Sequence, residues 1–152
     1  MRQTFLLLVM LSTLTPMTSC EDDSSSPDIT TLIIGEWELR KSYNGQGMET
    51  EFSAGNGNIY RFSESKYERY ENGILVEEGV YRLVEETSSI SKETISRLLF
   101  DDEIDNPDDH LRISIEVVNN NLIIAVDAND GPSSVYDKIN EQSPTSKIPK
   151  ER

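Results

Sequence analysis

The densest group of oxygen ligands in this sequence is the segment DDEIDNPDD at residues 101–109, which carries six carboxylates in nine positions. Ca²⁺ binds several carboxylate oxygens at once, and extracellular calcium sites need only weak affinity. The segment is therefore a candidate calcium site, whose ligands would be Asp101, Asp102, Asp105, Asp108 and Asp109. Its spacing does not follow the ligand order of an EF-hand, and the alternative interpretation is a solvated loop that keeps the protein soluble.

A second candidate for chemistry is His110, the only histidine, which directly follows the acidic segment. Histidine can act as a general base or a proton switch near neutral pH. No Gly-x-Ser-x-Gly motif accompanies it, so we interpret His110 as a histidine at the edge of a strand and expect no enzymatic activity. One His and one Cys cannot supply a multi-His or multi-Cys metal site, and we expect no cofactor.

Cys20, the only cysteine, ends a stretch with the features of a leader peptide. One basic residue, Arg2, precedes an apolar run from Phe5 to Leu14, which is shorter than the ~20 residues that span a bilayer. This pattern predicts a secretory signal peptide over residues 1–19. The residues that lead into Cys20 resemble the bacterial lipobox, which implies cleavage before Cys20 and attachment of a diacylglyceryl group to its thiol. The alternative is ordinary secretion with a free thiol.

Residues 20–31 start at the lipidated cysteine and continue as a polar, acidic segment. Low hydrophobicity and high charge predict a flexible tether. An acidic run at this place also resembles the surface-export signal of Bacteroidetes lipoproteins, and the alternative is a plain spacer. The two resemblances imply an outer-membrane lipoprotein of the cell envelope. Such a protein is anchored in the lipid bilayer through Cys20 and faces either the periplasm or the cell surface.

Length and charge narrow the classes of function. A chain of 152 residues favours one domain, which we place at 32–140, followed by a loose tail over 141–152. With 28 acidic and 14 basic residues, the formal net charge is −14. Because affinity for phosphate backbones comes mostly from Lys and Arg, this charge argues against nucleic-acid binding. We expect a monomer.

The domain is predicted to be all-β. Short runs rich in Ile, Val, Tyr, Phe and Leu alternate with polar residues and are separated by Asn, Gly, Asp and Ser, which is typical of strands joined by hairpins. The predicted strands are 35–43, 58–62, 66–70, 74–84, 90–100, 111–117, 122–126 and 134–139. Eight strands in this order favour a single antiparallel up-and-down barrel, because closure satisfies every backbone edge. Eight is also about the smallest number whose interior can hold one small ligand.

The hairpin around Asn72-Gly73 allows two registers. A two-residue loop would place the strands so that acidic side chains face each other, Glu68 against Glu77. A three-residue loop with Gly73 as a bulge would pair Lys66 with Glu78 instead. Since like charges directly opposite are destabilising, we predict the bulged loop.

Several of these elements together resemble the lipocalin-like domains of Bacteroidetes lipoproteins. The resemblance covers residues 32–139 and is carried by Gly35-x-Trp37, Tyr60-Arg61-Phe62, the Asn-Gly hairpin, Glu78-Gly79-Val80-Tyr81 and Tyr136-Asp137-Lys138-Ile139. It implies that Trp37 closes one end of the barrel and that a basic residue of the last strand, here Lys138, covers it. It names no ligand.

The aromatic residues suggest what the barrel does. Tyr is the commonest of them, so an interior that they line would be both apolar and polar. We predict that a small apolar or amphipathic ligand binds in the barrel, with Tyr60, Phe62 and Tyr81 among its contacts. The alternative is a filled barrel whose exposed face or loops bind a protein or a glycan without catalysis.

Overall fold

The computed structural model of the chain describes residues 28–104 and 111–139. Its elements are α1 (Ile29–Leu32), β1 (Gly35–Tyr43), β2 (Glu49–Glu51), β3 (Ile59–Phe62), β4 (Lys66–Glu71), β5 (Ile74–Thr87), β6 (Thr94–Phe100), a 3₁₀ turn (Asp101–Ile104), β7 (Ile113–Val118), β8 (Asn121–Val126) and β9 (Ser133–Lys138). Within these ranges no helix has the length and apolar character needed to cross a membrane.

The strands form one closed antiparallel sheet. From β3 onward each strand pairs with the next one along the chain, and β9 returns to pair with β1. On its other edge, β1 pairs with β2 through Lys41–Tyr43 and with β3 through Gly35–Glu38. β2 and β3 thus behave as two halves of one interrupted strand, and the barrel has eight strands in circumference. The prediction of an all-β, up-and-down, eight-stranded barrel is confirmed.

The strand bounds differ from the prediction at two places. β2 lies in a region predicted as a loop, because an excursion over residues 52–58 separates two short segments that both pair with β1. β6 begins at Thr94 instead of residue 90. Ser88 explains this difference, since its hydroxyl accepts the backbone N–H groups of Ile90 (3.1 Å) and Ser91 (3.0 Å) and holds the chain in a turn.

The predicted register of the Asn-Gly hairpin is wrong. Glu71 pairs with Ile74 around a two-residue turn in which Asn72 and Gly73 both have positive φ, 51° and 80°. The extra residue lies within β5, at Val76, and Glu68 faces Glu78. The like charges are tolerated because Arg61 of β3 donates to the Glu68 carboxylate at 2.6 Å, a cross-strand contact that a two-strand argument does not include.

The core is built from the inward-facing residues of alternating strands. The largest fully buried side chains of this core are Trp37, Phe62, Tyr67, Leu98 and Leu122, together with Ile33, which follows α1. α1 lies against β7, and the indole Nε1 of Trp37 donates to the carbonyl of Ile33 at 2.6 Å. One end of the barrel is thereby closed.

α1 begins within the predicted tether, where Asp28 accepts the N–H of Thr30 at its start. The predicted boundary at residue 32 thus coincides with the last residue of this turn. Residues 1–27, which include Cys20, and residues 140–152, which include the predicted tail over 141–152, lie outside the described residues.

Candidate ligand-binding site

The closed end of the barrel brings together Gly35, Trp37 and Lys138. The Lys138 Nζ lies 4.9 Å from the centre of the Trp37 ring, within the range of a cation–π contact. Gly35 has a φ of 135°, and a Cβ at that position would lie 2.9 Å from the Lys138 Cε. The glycine thus leaves room for the lysine stem to cross to the indole.

Next along the barrel axis, a layer of aromatic side chains fills the interior. Phe62 and Tyr81 meet edge to face at 5.1 Å, and Tyr60 stacks on Phe62 at 5.5 Å. Phe62 and Tyr81 are buried, and the Tyr81 hydroxyl donates to the carbonyl of Ser63 at 2.7 Å. Of the three predicted ligand contacts, the structure places Phe62 and Tyr81 in the packed core and Tyr60 at its inner boundary.

A cavity of about 620 Å³ occupies the other end of the barrel, where β1 and β8 end and β9 begins. Its inner wall is formed by Ser42, Tyr60, Ile113, Ile124, Ser134 and Tyr136, and its rim includes Met48 and Glu49. A second cavity of about 230 Å³ shares Tyr60 and Tyr136 with the first and extends to Phe52, Arg69 and Glu71. We call this region the mouth cavity.

Tyr60 and Tyr136 form the floor of the mouth cavity, with their rings edge to face at 5.6 Å. Burial raises the pKa of both phenols, so both hydroxyls stay protonated at neutral pH. Among the described residues, none forms a hydrogen bond with the Tyr60 hydroxyl. The floor therefore offers a ligand two aromatic rings and one hydroxyl that no described residue uses.

Beside this floor lies a network of charged side chains, which we call the Arg69 cluster: Tyr67, Arg69, Glu71, Glu77 and Asp101. Arg69 Nε donates to Glu77 at 2.8 Å, and its Nη1 donates to Glu71. The Tyr67 hydroxyl lies 2.7 Å from the Glu77 carboxylate and 2.9 Å from that of Asp101. Burial and these two carboxylates raise the pKa of the Tyr67 phenol.

Asp101, the first of the predicted calcium ligands, has a structural role. Its carboxylate accepts the backbone N–H of Val80 at 2.9 Å in addition to the Tyr67 hydroxyl. It packs on Gly79, where an added Cβ would lie 2.1 Å from the Asp101 Oδ1. The described residues contain no group of three or more side chains that could hold a metal. Asp105, Asp108, Asp109, His110 and the side chain of Asp102 are outside the description, and the calcium site stays a prediction.

Glu38 is a buried carboxylate that the sequence pattern does not reveal. Alternation placed it on the solvent face of β1, but residues 52–58 cover it. Its carboxylate accepts the N–H groups of Gly55 (3.0 Å) and Gly57 (3.2 Å) and a contact from Arg40 at 2.5 Å. Burial opposes the charged form, but these donors outweigh it and lower the pKa of Glu38. The Gly-Asn-Gly at 55–57 is the one sequence signal that a backbone approaches closely here.

Neither a protein-family model nor a curated protein matches the sequence. Among solved structures, the chain is similar to a lipocalin-like protein from Bacteroides uniformis, with 15% identity and a TM-score of 0.42. The similarity covers 71% of this chain and 99% of that chain. The barrel described above rests on its own strand pairing, and we take no ligand from this comparison.

Proposed function

We propose that this protein binds a small apolar or amphipathic molecule in the mouth cavity, without catalysis and as a monomer. The observation that carries the proposal is an unfilled space of about 620 Å³ at one end of a barrel whose other end is packed. Ligand pockets of small molecules typically fall between about 300 and 1,000 Å³ and combine apolar walls with a few polar groups. The walls here have that composition, with Ile113, Ile124 and two tyrosines beside two serines.

Neighbouring residues on β8 provide a matched test. Ile124 lines the mouth cavity, whereas Ile123 faces the outside, opposite Val135 of β9. The neutral fluorophore N-phenyl-1-naphthylamine should bind wild-type protein saturably. Ile124→Trp should fill the cavity and weaken binding about tenfold or more, the equivalent of about 1.4 kcal/mol. Ile123→Trp should bind as wild type does. Equal binding by all three proteins, each shown to be folded by circular dichroism, would disprove the proposal.

We also propose that the protein acts at the outer membrane, anchored in the lipid bilayer by an acylated Cys20. The support is the lipobox-like sequence and the acidic segment that follows it. One acyl chain anchors a protein only marginally, whereas two or more hold it stably. Wild-type protein from its own host should enter the detergent phase, Cys20→Ala should stay in the aqueous phase, and Ser24→Ala should match wild type. Protease treatment of intact cells would then distinguish surface exposure from a periplasmic orientation.

A groove on the outer face of the barrel favours a second function, the binding of a protein or glycan partner. Its volume is about 600 Å³, and Phe52, Val118, Ile123 and Val135 contribute apolar walls. If this groove is the functional surface, the two tryptophan variants should exchange roles. Binding on an immobilised glycan array would then be lost in Ile123→Trp and kept in Ile124→Trp.

A further inference from the structure

We infer that the ligand of the mouth cavity is an amphipathic cation, whose apolar part contacts Tyr60, Tyr136 and Ile124 and whose positive group lies beside the Arg69 cluster. This inference rests on the proposed ligand binding and specifies the chemical class of the ligand. Its basis is the balance of charge at the mouth, the aromatic floor and the unused hydroxyl of Tyr60.

Two basic side chains near the mouth, Arg69 and Lys41, are each shared by two carboxylates among the described residues. Arg69 is held between Glu71 and Glu77. On the β1–β2 side, Lys41 lies 2.7 Å from Glu49, which lines the cavity, and 3.1 Å from Glu51. Asp101 adds a further carboxylate to the Arg69 cluster through Tyr67. The charged groups around the opening therefore carry an excess of negative charge.

An anionic ligand would meet this excess, and the basic side chain that could receive it is already paired with two carboxylates. Arg69 is the only basic residue among those that line the two parts of the cavity within the described residues. Two of its donors are occupied by Glu77 and Glu71. A carboxylate ligand that used the remaining N–H groups of Arg69 would still lie beside the carboxylates of Glu71 and Glu77. Lys138 cannot substitute, since it lies over Trp37 at the opposite end of β9.

A cation, in contrast, is attracted by the aromatic rings of the floor and by the carboxylates beside it, and Arg69, the positive group there, is paired with two of those carboxylates. The face of an aromatic ring attracts positive charge, and tyrosines combined with carboxylates form the usual environment for substituted ammonium groups. Tyr60 and Tyr136 supply the rings, and Arg69 lies with the carboxylates of Glu77 and Glu71 close enough to Tyr60 to influence the pKa of its hydroxyl. The free oxygen of Tyr60 can accept a hydrogen bond from an ammonium N–H.

Three probes of equal chain length test the inference: decyltrimethylammonium and decanoate below their micellar concentrations, and 1-decanol below its solubility limit. Each would compete with N-phenyl-1-naphthylamine for the full-length protein. The cation should bind about tenfold more tightly than decanoate, as expected for one desolvated charge contact, with decanol in between. In Glu71→Gln/Glu77→Gln this preference should fall to about threefold or less, with decanol binding unchanged.

A matched control removes the same charge elsewhere. Glu64 and Glu116 are exposed carboxylates away from the cavity, so Glu64→Gln/Glu116→Gln should keep the full preference. If the control loses as much preference as the mouth variant, the net charge of the protein explains the result and the inference is wrong. The single variant Glu71→Gln, at a more exposed position, gives the same comparison if the double variant is unstable.

The same probes distinguish a failure of this inference from a failure of the proposed function. Binding of decanol and the fluorophore without any preference for the cation overturns this inference and leaves the proposed function standing. Absence of binding by all probes overturns both.

Discussion

The two ends of the barrel use the same strands for different purposes. On β1, Trp37 is 1% exposed and anchors the packed end, whereas Ser42, five residues later, borders the mouth cavity. On β9, Lys138 covers the indole, while Ser134 lines the cavity. The two ends differ in the residues that lie across them. α1 and the buried Ile33 close the first end, and the second end is bordered by polar turns between strands.

This difference would separate the residues that stabilise the domain from those that line the proposed binding site. Interiors of proteins are close-packed, and apolar contacts there contribute most of the stability. A cavity gives up such contacts, so it persists only where the surrounding structure holds it open. The packed end, with Trp37, Phe62, Tyr67 and Leu122, supplies that support. The mouth cavity is thus free to keep unfilled volume for a ligand.

The largest effect should come from emptying the packed end. Trp37→Ala removes a buried indole and its hydrogen bond to Ile33, and it should cost about 3–5 kcal/mol of unfolding free energy. Ile124→Ala at the mouth should cost about 2 kcal/mol or less, because its side chain already borders open space. Urea denaturation of both variants measures the difference. Equal losses would show that the two ends are packed alike.

A smaller loss of stability is expected when the Tyr67 hydroxyl is removed. The Tyr67 hydroxyl lies between two carboxylates, and Tyr67→Phe would leave those carboxylates without their shared donor. Loss of a hydrogen bond between buried or charged groups costs about 1–3 kcal/mol, and a decrease of this size is expected in thermal or urea unfolding. A neutral result would mean that the Arg69 cluster does not brace the barrel.

The pH dependence of stability should reveal how Glu38 holds residues 52–58, which it contacts through the N–H groups of Gly55 and Gly57. This segment includes Phe52, which lies beside the mouth. The pKa of Glu38 is lowered in the folded protein, so its contribution is complete above the unfolded pKa of about 4.3 and is lost as the pH falls through the folded value. Glu38→Gln should lower stability by about 1 kcal/mol at pH 7 and flatten the acid side of the curve. The exposed Glu116→Gln serves as the control. Parallel pH profiles for wild type and Glu38→Gln would contradict this role.

The smallest effect on stability is expected at the cavity floor. Tyr60→Phe removes a hydroxyl that has no hydrogen bond among the described residues, so the unfolding free energy should change by about 0.5 kcal/mol or less. The same variant should weaken binding of a ligand with a hydrogen-bonding group and leave the neutral fluorophore unaffected. A large loss of stability would show that the hydroxyl has a partner in the free protein.

Local pattern was sufficient for the strands but not for their detailed pairing. Alternation of apolar and polar residues identified every strand of the barrel apart from β2, because one buried face requires that period. β2 was not predicted because its three residues, Glu49–Glu51, are all exposed and show no alternation of apolar and polar residues. The predicted hairpin register was wrong because the repulsion between two strands does not decide it alone: Arg61 on a third strand pairs with Glu68.

The candidate site was predictable only in part. Trp37 and Lys138 could be placed together from the resemblance, and the structure brings them to a 4.9 Å contact. Tyr60, Phe62 and Tyr81 are all aromatic residues that belong to the core or pack against it, yet only Tyr60 borders the cavity. Which aromatic residue packs and which faces space depends on how far each lies along the barrel axis, and no local pattern encodes that distance.

The sequence by itself determined the all-β class, the acidic character and the order of the strands, because these follow from composition and from periods of two residues. The tertiary structure alone decided where the volume remains empty, which carboxylates share a base and which polar residue is buried. Glu38 and the Arg69 cluster show the reason. Burial and charge pairing depend on groups that lie far apart in the chain and meet only when the sheet closes.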